Sequence, residues 1–341
     1  VSPSRNTLDR ILDTIAPLQR LCIVGHVRPD GDCIGSQFAL ALALKAQGKK
    51  VECWNQDPVP AKFAFLAPKG LMRQPHKAKP FDAVIAVDCA SAQRLGSASQ
   101  AILPHTPVIN IDHHASNTQY GHINWVSPHE PSTGELIHQL IQHANWPVTP
   151  AIANNLYTAI STDTGSFQYP TTLPSTLQTA ADLVQHGANL EIIAQEVYQS
   201  FPIARVELLR ELYKRFQLHH ENQTATFYLR QSDYTRTGAS TDDSEGLIDH
   251  LRSIQPVIVA CLFEEAGRNL TRISLRSKDT RLDVNQIASQ FGGGGHRAAA
   301  GARISGSPKT VQQAVLNAID LALKHLQTQP AKRKKTTSKK R

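Results

Sequence analysis

In the N-terminal half, short apolar runs alternate with helical patterns, and that alternation restricts the fold more than any other feature. Leu21-Cys22-Ile23-Val24 reads as a buried strand, followed after a loop by a helix from about Ile34 to Gln47 that stops at Gly48. Val51–Trp54, Ala83–Val87 and Val108–Ile111 read as further strands. Apolar strands separated by helices imply an α/β fold whose mostly parallel sheet carries helices on both faces. Ligands of such sheets sit beyond the carboxyl ends of the strands.

Helical patterns continue from Ala151 to Gly187, broken by a Thr-rich segment around Pro170–Pro174, and then along one long stretch from Leu190 to Leu218. A strand-rich section follows, with Ala225–Leu229, Val257–Phe263 and Arg272–Leu275, a glycine run, and a last helix from Thr310 to Gln327. The expected organisation is a catalytic domain over 1–189, a helical linker over 190–222, a smaller α/β domain over 223–328 and a disordered basic tail over 329–341. At 341 residues the chain is long enough for two cores.

The net charge of +8 suggests nucleic acid, but seven basic residues lie in the last ten positions, and without them the body carries only +1. The tail can attract polyanions without choosing among them. Cys22, Cys33, Cys53, Cys89 and Cys261 form no CxxC pair, so they read as buried reduced thiols in a cytoplasmic protein. No apolar run approaches the ~18–20 residues that span a bilayer. The opening residues 1–20 read as an amphipathic helix, not as a secretion signal.

Four polar clusters follow four of these segments. His26-Val27-Arg28-Pro29-Asp30-Gly31-Asp32 follows the first strand; Asp88 ends the third; Asp112-His113-His114 ends the fourth; Asp163 lies after the helix at 152–160. Each alone has an ordinary explanation as a turn, a helix cap or a hydrogen-bonded pair. Together they do not, because parallel-sheet topology sends the strand ends to one crevice. Crowded carboxylates must either take up protons or be neutralised by cations. Carboxylate and imidazole donors without cysteine suit Mn²⁺, Mg²⁺ or Co²⁺ better than a structural zinc. Two such ions ~3.5–4 Å apart can lower the pKa of a shared water and stabilise a phosphoryl group in displacement.

In order and spacing these clusters resemble the four motifs of the DHH phosphoesterase superfamily, over nearly the whole chain except the tail. The resemblance implies a DHH domain with two divalent cations, Mn²⁺ first among them. His26 and Asp30 would hold one, Asp32, His113 and Asp163 the other, and Asp88 would bridge both. Asp112 would orient the histidines, and His114 would face the substrate phosphate as the catalytic group. Arg28 could reach a phosphate or remain a solvated loop side chain.

Gly292-Gly293-Gly294-Gly295-His296-Arg297 is the other strong motif. Successive glycines expose backbone N–H groups and admit a phosphate closely, and ordered segments on both sides argue against a linker. This stretch resembles the DHHA1 domain with its GGGH sequence, and Ser274–Ser277 resembles that family's nucleotide-binding strand. The resemblance implies that Arg276, Ser277, the glycines, His296 and, less directly, Arg297 hold a phosphate or base.

The GGGH loop separates this chain from family II pyrophosphatases. Its length separates it from RecJ-type exonucleases, and its lack of membrane segments from membrane-bound cyclic-dinucleotide phosphodiesterases. It is most similar to the compact members that degrade oligoribonucleotides of a few residues and dephosphorylate 3′-phosphoadenosine 5′-phosphate (pAp). Hydrolysis of linear or cyclic dinucleotides is the alternative activity. A catalytically inactive nucleic-acid-binding protein is a further one, against which every filled ligand position argues. The expected partners are short RNA or nucleotides, with no membrane and with room for a homodimer.

Overall fold

A computed structural model of the chain describes residues 5–76, 79–102 and 106–328. The basic tail expected at 329–341 lies outside the described residues. The chain divides into two compact units, 1–200 and 201–341.

The first unit runs α1 (Arg5–Ile15), β1 (Arg20–Val24), α2 (Gly31–Ala46), β2 (Lys50–Trp54), β3 (Met72–Arg73), β4 (Ala83–Val87), α3 (Ser97–Ile102), β5 (Val108–Asp112) and β6 (Ile123–Val126). Four helices follow: α4 (Thr133–His143), α5 (Pro150–Asp163), α6 (Pro174–Gln185) and α7 (Leu190–Tyr198). All six strands pair in parallel, in the order β3-β2-β1-β4-β5-β6. The order reverses between β1 and β4, which makes the carboxyl ends of those two strands the natural ligand position.

One face of the sheet packs Ile23, Ile85 and Ile109 against α1, α2, α4 and α5. The opposite face packs Cys22, Val84 and Val108 against Leu95 and α3. Both faces are thus covered, as the continuous apolar strands require. Helix α2 is apolar nearly all round and is buried along most of its length, as such helices are. It starts at Gly31, three residues before the expected Ile34, because the Asp30 carboxylate caps it by accepting the Cys33 N–H at 3.0 Å. What reads as an Asp-Gly-Asp turn is a helix start.

The second unit runs α8 (Ile203–Arg215), β7 (Gln217–His219), β8 (Thr224–Leu229), α9 (Gln231–Thr237), α10 (Leu247–Arg252), β9 (Val259–Gly267) and β10 (Leu270–Ser277). It closes with α11 (Val284–Ser289), β11 (Gly294–Gly295), β12 (Ala299–Ser305) and α12 (Pro308–Thr328). Its mixed sheet has the order β11-β12-β10-β9-β8-β7, parallel only between β8 and β9. Helices α11 and α12 bury one face, with Val315 and Ile319 against Ile273 and Leu275. Helices α8, α9 and α10 bury the other, with Leu208, Tyr234 and Leu251 against Phe227 and Leu262.

The single long helix expected over 190–218 is two helices. Pro202 disfavours helical geometry at Phe201 and has no N–H to donate, so α7 ends at Tyr198 and α8 begins after the proline. Among the described residues no helix is long and apolar enough to cross a membrane.

Candidate metal centre

The loops after β1, β4 and β5 and the end of α5 bring His26, Asp30, Asp32, Asp88, His113, His114 and Asp163 together. Asp88 lies at the middle, with its backbone in the left-handed region (φ 54°), a costly conformation for a residue with a side chain. Its two oxygens face different neighbours. Oδ2 lies 3.3 Å from His26 Nε2, and Oδ1 lies 3.6 Å from His113 Nε2 and 3.7 Å from His114 Nδ1. Around His26 the Asp30 carboxylate is 3.7 Å away. Around His113 Nε2, Asp163 Oδ2 is at 3.4 Å and Asp32 Oδ2 at 3.7 Å.

Two of the rings have their tautomers fixed by what their other nitrogen touches. His26 Nδ1 lies 2.9 Å from the Val27 carbonyl, and His113 Nδ1 3.2 Å from the Glu130 carbonyl. A carbonyl only accepts, so each Nδ1 carries a proton, which leaves each Nε2 as the atom that would meet a cation. His114 differs. Its Nδ1–H donates to Asp112 Oδ1 at 2.8 Å, and Asn117 Nδ2 donates to the other Asp112 oxygen at 2.6 Å. Asp112 therefore orients His114, and the Glu130 carbonyl holds His113.

The carboxylates crowd one another. Burial, and then the charge of Asp163, pushes the Asp32 carboxyl up to about 7. Burial together with Asp32, Asp30, Asp112 and Asp163 pushes Asp88 well above the ordinary carboxylate range. Burial opposes the charge on His26, but Cys33 and Asp30 outweigh it and raise the ring to about 10. Burial also works against Asp30, whose carboxyl is nevertheless held low by His26. Asp163 ends α5, where the negative end of the helix dipole adds to the repulsion. Protons occupy this cluster only against its design; divalent cations neutralise it better. Asp32, His113 and Asp163 offer donor atoms within 4.8 Å of one another, and so do His26, Asp88 and Cys33. The donor set fits two divalent ions.

Several contributors escape the sequence reading. Thr133 donates its N–H to Asp32 Oδ2 at 2.7 Å and its hydroxyl to Asp88 Oδ1 at 3.1 Å, and Gly134 N–H donates to Asp32 Oδ1 at 2.8 Å. The signal available was the helix start Ser132-Thr133-Gly134-Glu135, whose free N–H groups suit an anion. Gly31 is needed because a Cβ there would run into Thr162, so glycine lets α2 approach the end of α5 and brings Asp32 towards Asp163. Arg94, in the turn after β4, lies close enough for its charge to act on Asp30 and His114. Arg28 is exposed, and its backbone N–H donates to Asp57 Oδ2 at 2.7 Å.

The second unit holds the remaining residues of interest. Arg276 lies one residue before the end of β10, and its Nη1 donates to the adjoining Leu275 carbonyl at 3.1 Å. The Ser277 hydroxyl donates to Asp279 O at 2.9 Å, and Arg297 donates to the Thr280 and Arg281 carbonyls at 2.6 and 2.9 Å. Both side chains thereby hold the loop after β10. The glycines divide into two kinds. A Cβ on Gly293 would meet the Gly301 carbonyl and Ala302, and one on Gly295 would lie 2.5 Å from Ala299 O. Gly292, at φ 72°, has open space, and Gly294 meets only Asn285 Oδ1, at 3.7 Å. The N–H groups of Gly292 and Gly293 donate to Ser289 and Ala288 to close α11, so the run does not expose all of its N–H groups as expected. His296 turns the chain into β12 through paired backbone bonds with Ala299.

Residues 20–160 match the DHH family, N-terminal domain, and residues 223–327 match the DHHA1 domain. A Thermus thermophilus protein named bifunctional oligoribonuclease and PAP phosphatase NrnA is 31% identical over 83% of this chain and 84% of its own length. The chain belongs to the DHH–DHHA1 phosphoesterase superfamily. A Bacillus subtilis protein of the same name is 26% identical over 86% of this chain and 92% of its own. The crystal structure of an exopolyphosphatase-related protein from Bacteroides fragilis has the same fold (TM-score 0.83, 24% identity, 94% of this chain and 96% of that one).

Proposed function

We propose that the chain is a two-cation phosphoesterase that hydrolyses short oligoribonucleotides to mononucleotides and removes the 3′-phosphate of pAp. The observation that carries the chemistry is the divided carboxylate of Asp88, one oxygen towards His26 and the other towards His113. The substrate class comes from the relatives named oligoribonuclease and PAP phosphatase.

His26 and Asp30 would hold one divalent cation, Asp32, His113 and Asp163 the other, and Asp88 both. When bound, the cations supply Lewis acidity, making water a stronger acid and offsetting charge on the phosphoryl oxygens. Mn²⁺ suits this mix of carboxylate and imidazole, and Mg²⁺ and Co²⁺ fit it too. Thr133 and Gly134 aim the Asp32 carboxyl, Thr133 also aims Asp88, and the Thr133 N–H works against the rise in the Asp32 pKa. His114 is kept below its ordinary pKa, first by burial, and so presents a neutral ring with its Nδ1–H on Asp112. A phosphate dianion beside it favours its protonation, and the ring can then donate to a phosphoryl or leaving oxygen. Arg94 supplies fixed positive charge for the same phosphate.

In the second unit, Arg276, the space left beside Gly292 and Gly294, and His296 bind a phosphate or base. Ser277, Gly293, Gly295 and Arg297 shape that loop. The five buried free thiols support a reducing, cytoplasmic setting. The test offers purified protein with Mn²⁺ a panel of pAp, linear and cyclic dinucleotides, pyrophosphate and a longer RNA. Release of AMP from pAp and of mononucleotides from the linear dinucleotide is expected. Turnover confined to pyrophosphate or to the long RNA contradicts the proposal.

A further inference from the structure

The two cation positions differ in the softness of their donors. Asp32, His113 and Asp163 offer oxygen and nitrogen alone. On the other side of Asp88, a sulfur joins the set. The Cys33 thiol, a His26 ring nitrogen and an Asp88 oxygen all lie within 4.8 Å of one another, and the three residues are buried at 0%, 3% and 2% exposure. Donors on opposite sides of one ion, with metal–sulfur near 2.3 Å and metal–nitrogen near 2.0–2.1 Å, stand about 4.4 Å apart. Small inward shifts of the side chains would therefore let one ion touch all three.

The position of the sulfur is fixed by the fold. Cys33 lies in the first turn of α2, with its N–H on Asp30; burial raises its thiol to about 11, so a coordinated cation would have to displace the proton. Its Sγ fills the space where Gly25 would carry a Cβ, so the strand end leaves room for the thiol beside His26. The other cysteines of this unit do not share this placement: Cys53 packs in the core beneath α2, and Cys22 and Cys89 pack in the core on the opposite face of the sheet.

Resting on the two-cation reading, we infer that Cys33 is a sulfur donor to the cation position formed by His26 and Asp88. That position takes thiophilic divalent ions, Zn²⁺, Co²⁺ or Cd²⁺, in preference to Mn²⁺ and Mg²⁺, while the position of Asp32, His113 and Asp163 remains indifferent to softness. The chain would then work as a mixed-metal centre, one soft and one hard.

The experiment titrates Co²⁺ and Cd²⁺ into metal-free full-length protein and records the near-ultraviolet sulfur-to-metal charge-transfer band. The wild type should gain the band on binding. Cys33→Ser and Cys33→Ala should both lose it, and Cys22→Ser should keep it. Competition titrations should show Cd²⁺ affinity falling by about 10-fold or more in the Cys33 variants, with Mn²⁺ affinity far less affected. Two different replacements guard against one failing to fold, which circular dichroism reports. No band in the wild type, or a band that survives both replacements, overturns the inference. Mn²⁺-dependent hydrolysis of pAp and dinucleotide on the same preparation separates the two claims. Hydrolysis without a sulfur band removes only the role of Cys33, whereas a band without hydrolysis removes only the proposed activity.

Discussion

At the residue scale Asp88 and Glu135 make opposite demands on charge. Asp88 sits in a strained backbone conformation with its carboxyl raised by burial and by Asp32 and Asp30. Such a group is unfavourable without a cation and favourable with one. Asp88→Asn should therefore raise the melting temperature of the metal-free protein, abolish the rise that Mn²⁺ gives the wild type, and lower turnover of pAp by ~10²–10³-fold or more. Calorimetry with and without Mn²⁺, together with a turnover assay, checks all three. Glu135, outside the cluster, is raised to about 7, first by burial and then by Glu130. A carboxyl raised on folding binds its proton more tightly in the native state, so stability falls as pH rises from about 4.5 to 7. Glu135→Gln removes that loss. Its stability relative to wild type should be near zero at pH 4 and positive above pH 7, by at most about 3 kcal/mol, as read from denaturant unfolding across pH. The candidate metal residues stood out in the sequence because Asp and His directly after an apolar strand are conspicuous. Thr133, Cys33 and Arg94 did not, because a hydroxyl in a helix start, a thiol in an apolar helix and an arginine in a turn have common structural uses.

At the scale of elements, strands were the most legible, since β1, β2, β4 and β5 are largely apolar runs bounded by polar loops. Helix ends were less so. The start of α2 is set by the Asp30 cap, and the break between α7 and α8 by one proline; neither changes the apolar periodicity that marks a helix. The glycine run illustrates the same limit. Four identical residues read alike in sequence, yet β12 presses on Gly293 and Gly295 and leaves Gly292 and Gly294 open. Gly293→Ala should lower the stability of the second unit by about 1–3 kcal/mol through overpacking against Gly301 and Ala302. Gly294→Ala should change stability by no more than about 0.5 kcal/mol. If the open space beside Gly294 receives the nucleotide, Gly294→Ala also raises KM for pAp more than it lowers kcat. Thermal unfolding and steady-state kinetics on the pair distinguish packing from binding.

At the scale of the whole molecule, two units each bury their own helices against their own sheet, and the first unit carries every proposed metal ligand. The α/β class and parallel order were readable because parallel sheets are covered on both faces. The mixed order of the second sheet was not, because a strand pattern does not state its partner. Divalent cations that bind only the native state stabilise it by mass action, about 2.7 kcal/mol at 100-fold excess over Kd. The most direct measurement is the number of Mn²⁺ ions bound per chain at equilibrium, by calorimetry with metal analysis of the dialysed protein. Two ions per chain in the wild type, with loss of tight binding at both positions in Asp88→Asn, is the predicted result. A single ion per chain, or two that remain tightly held without the Asp88 carboxylate, would contradict a shared two-cation centre.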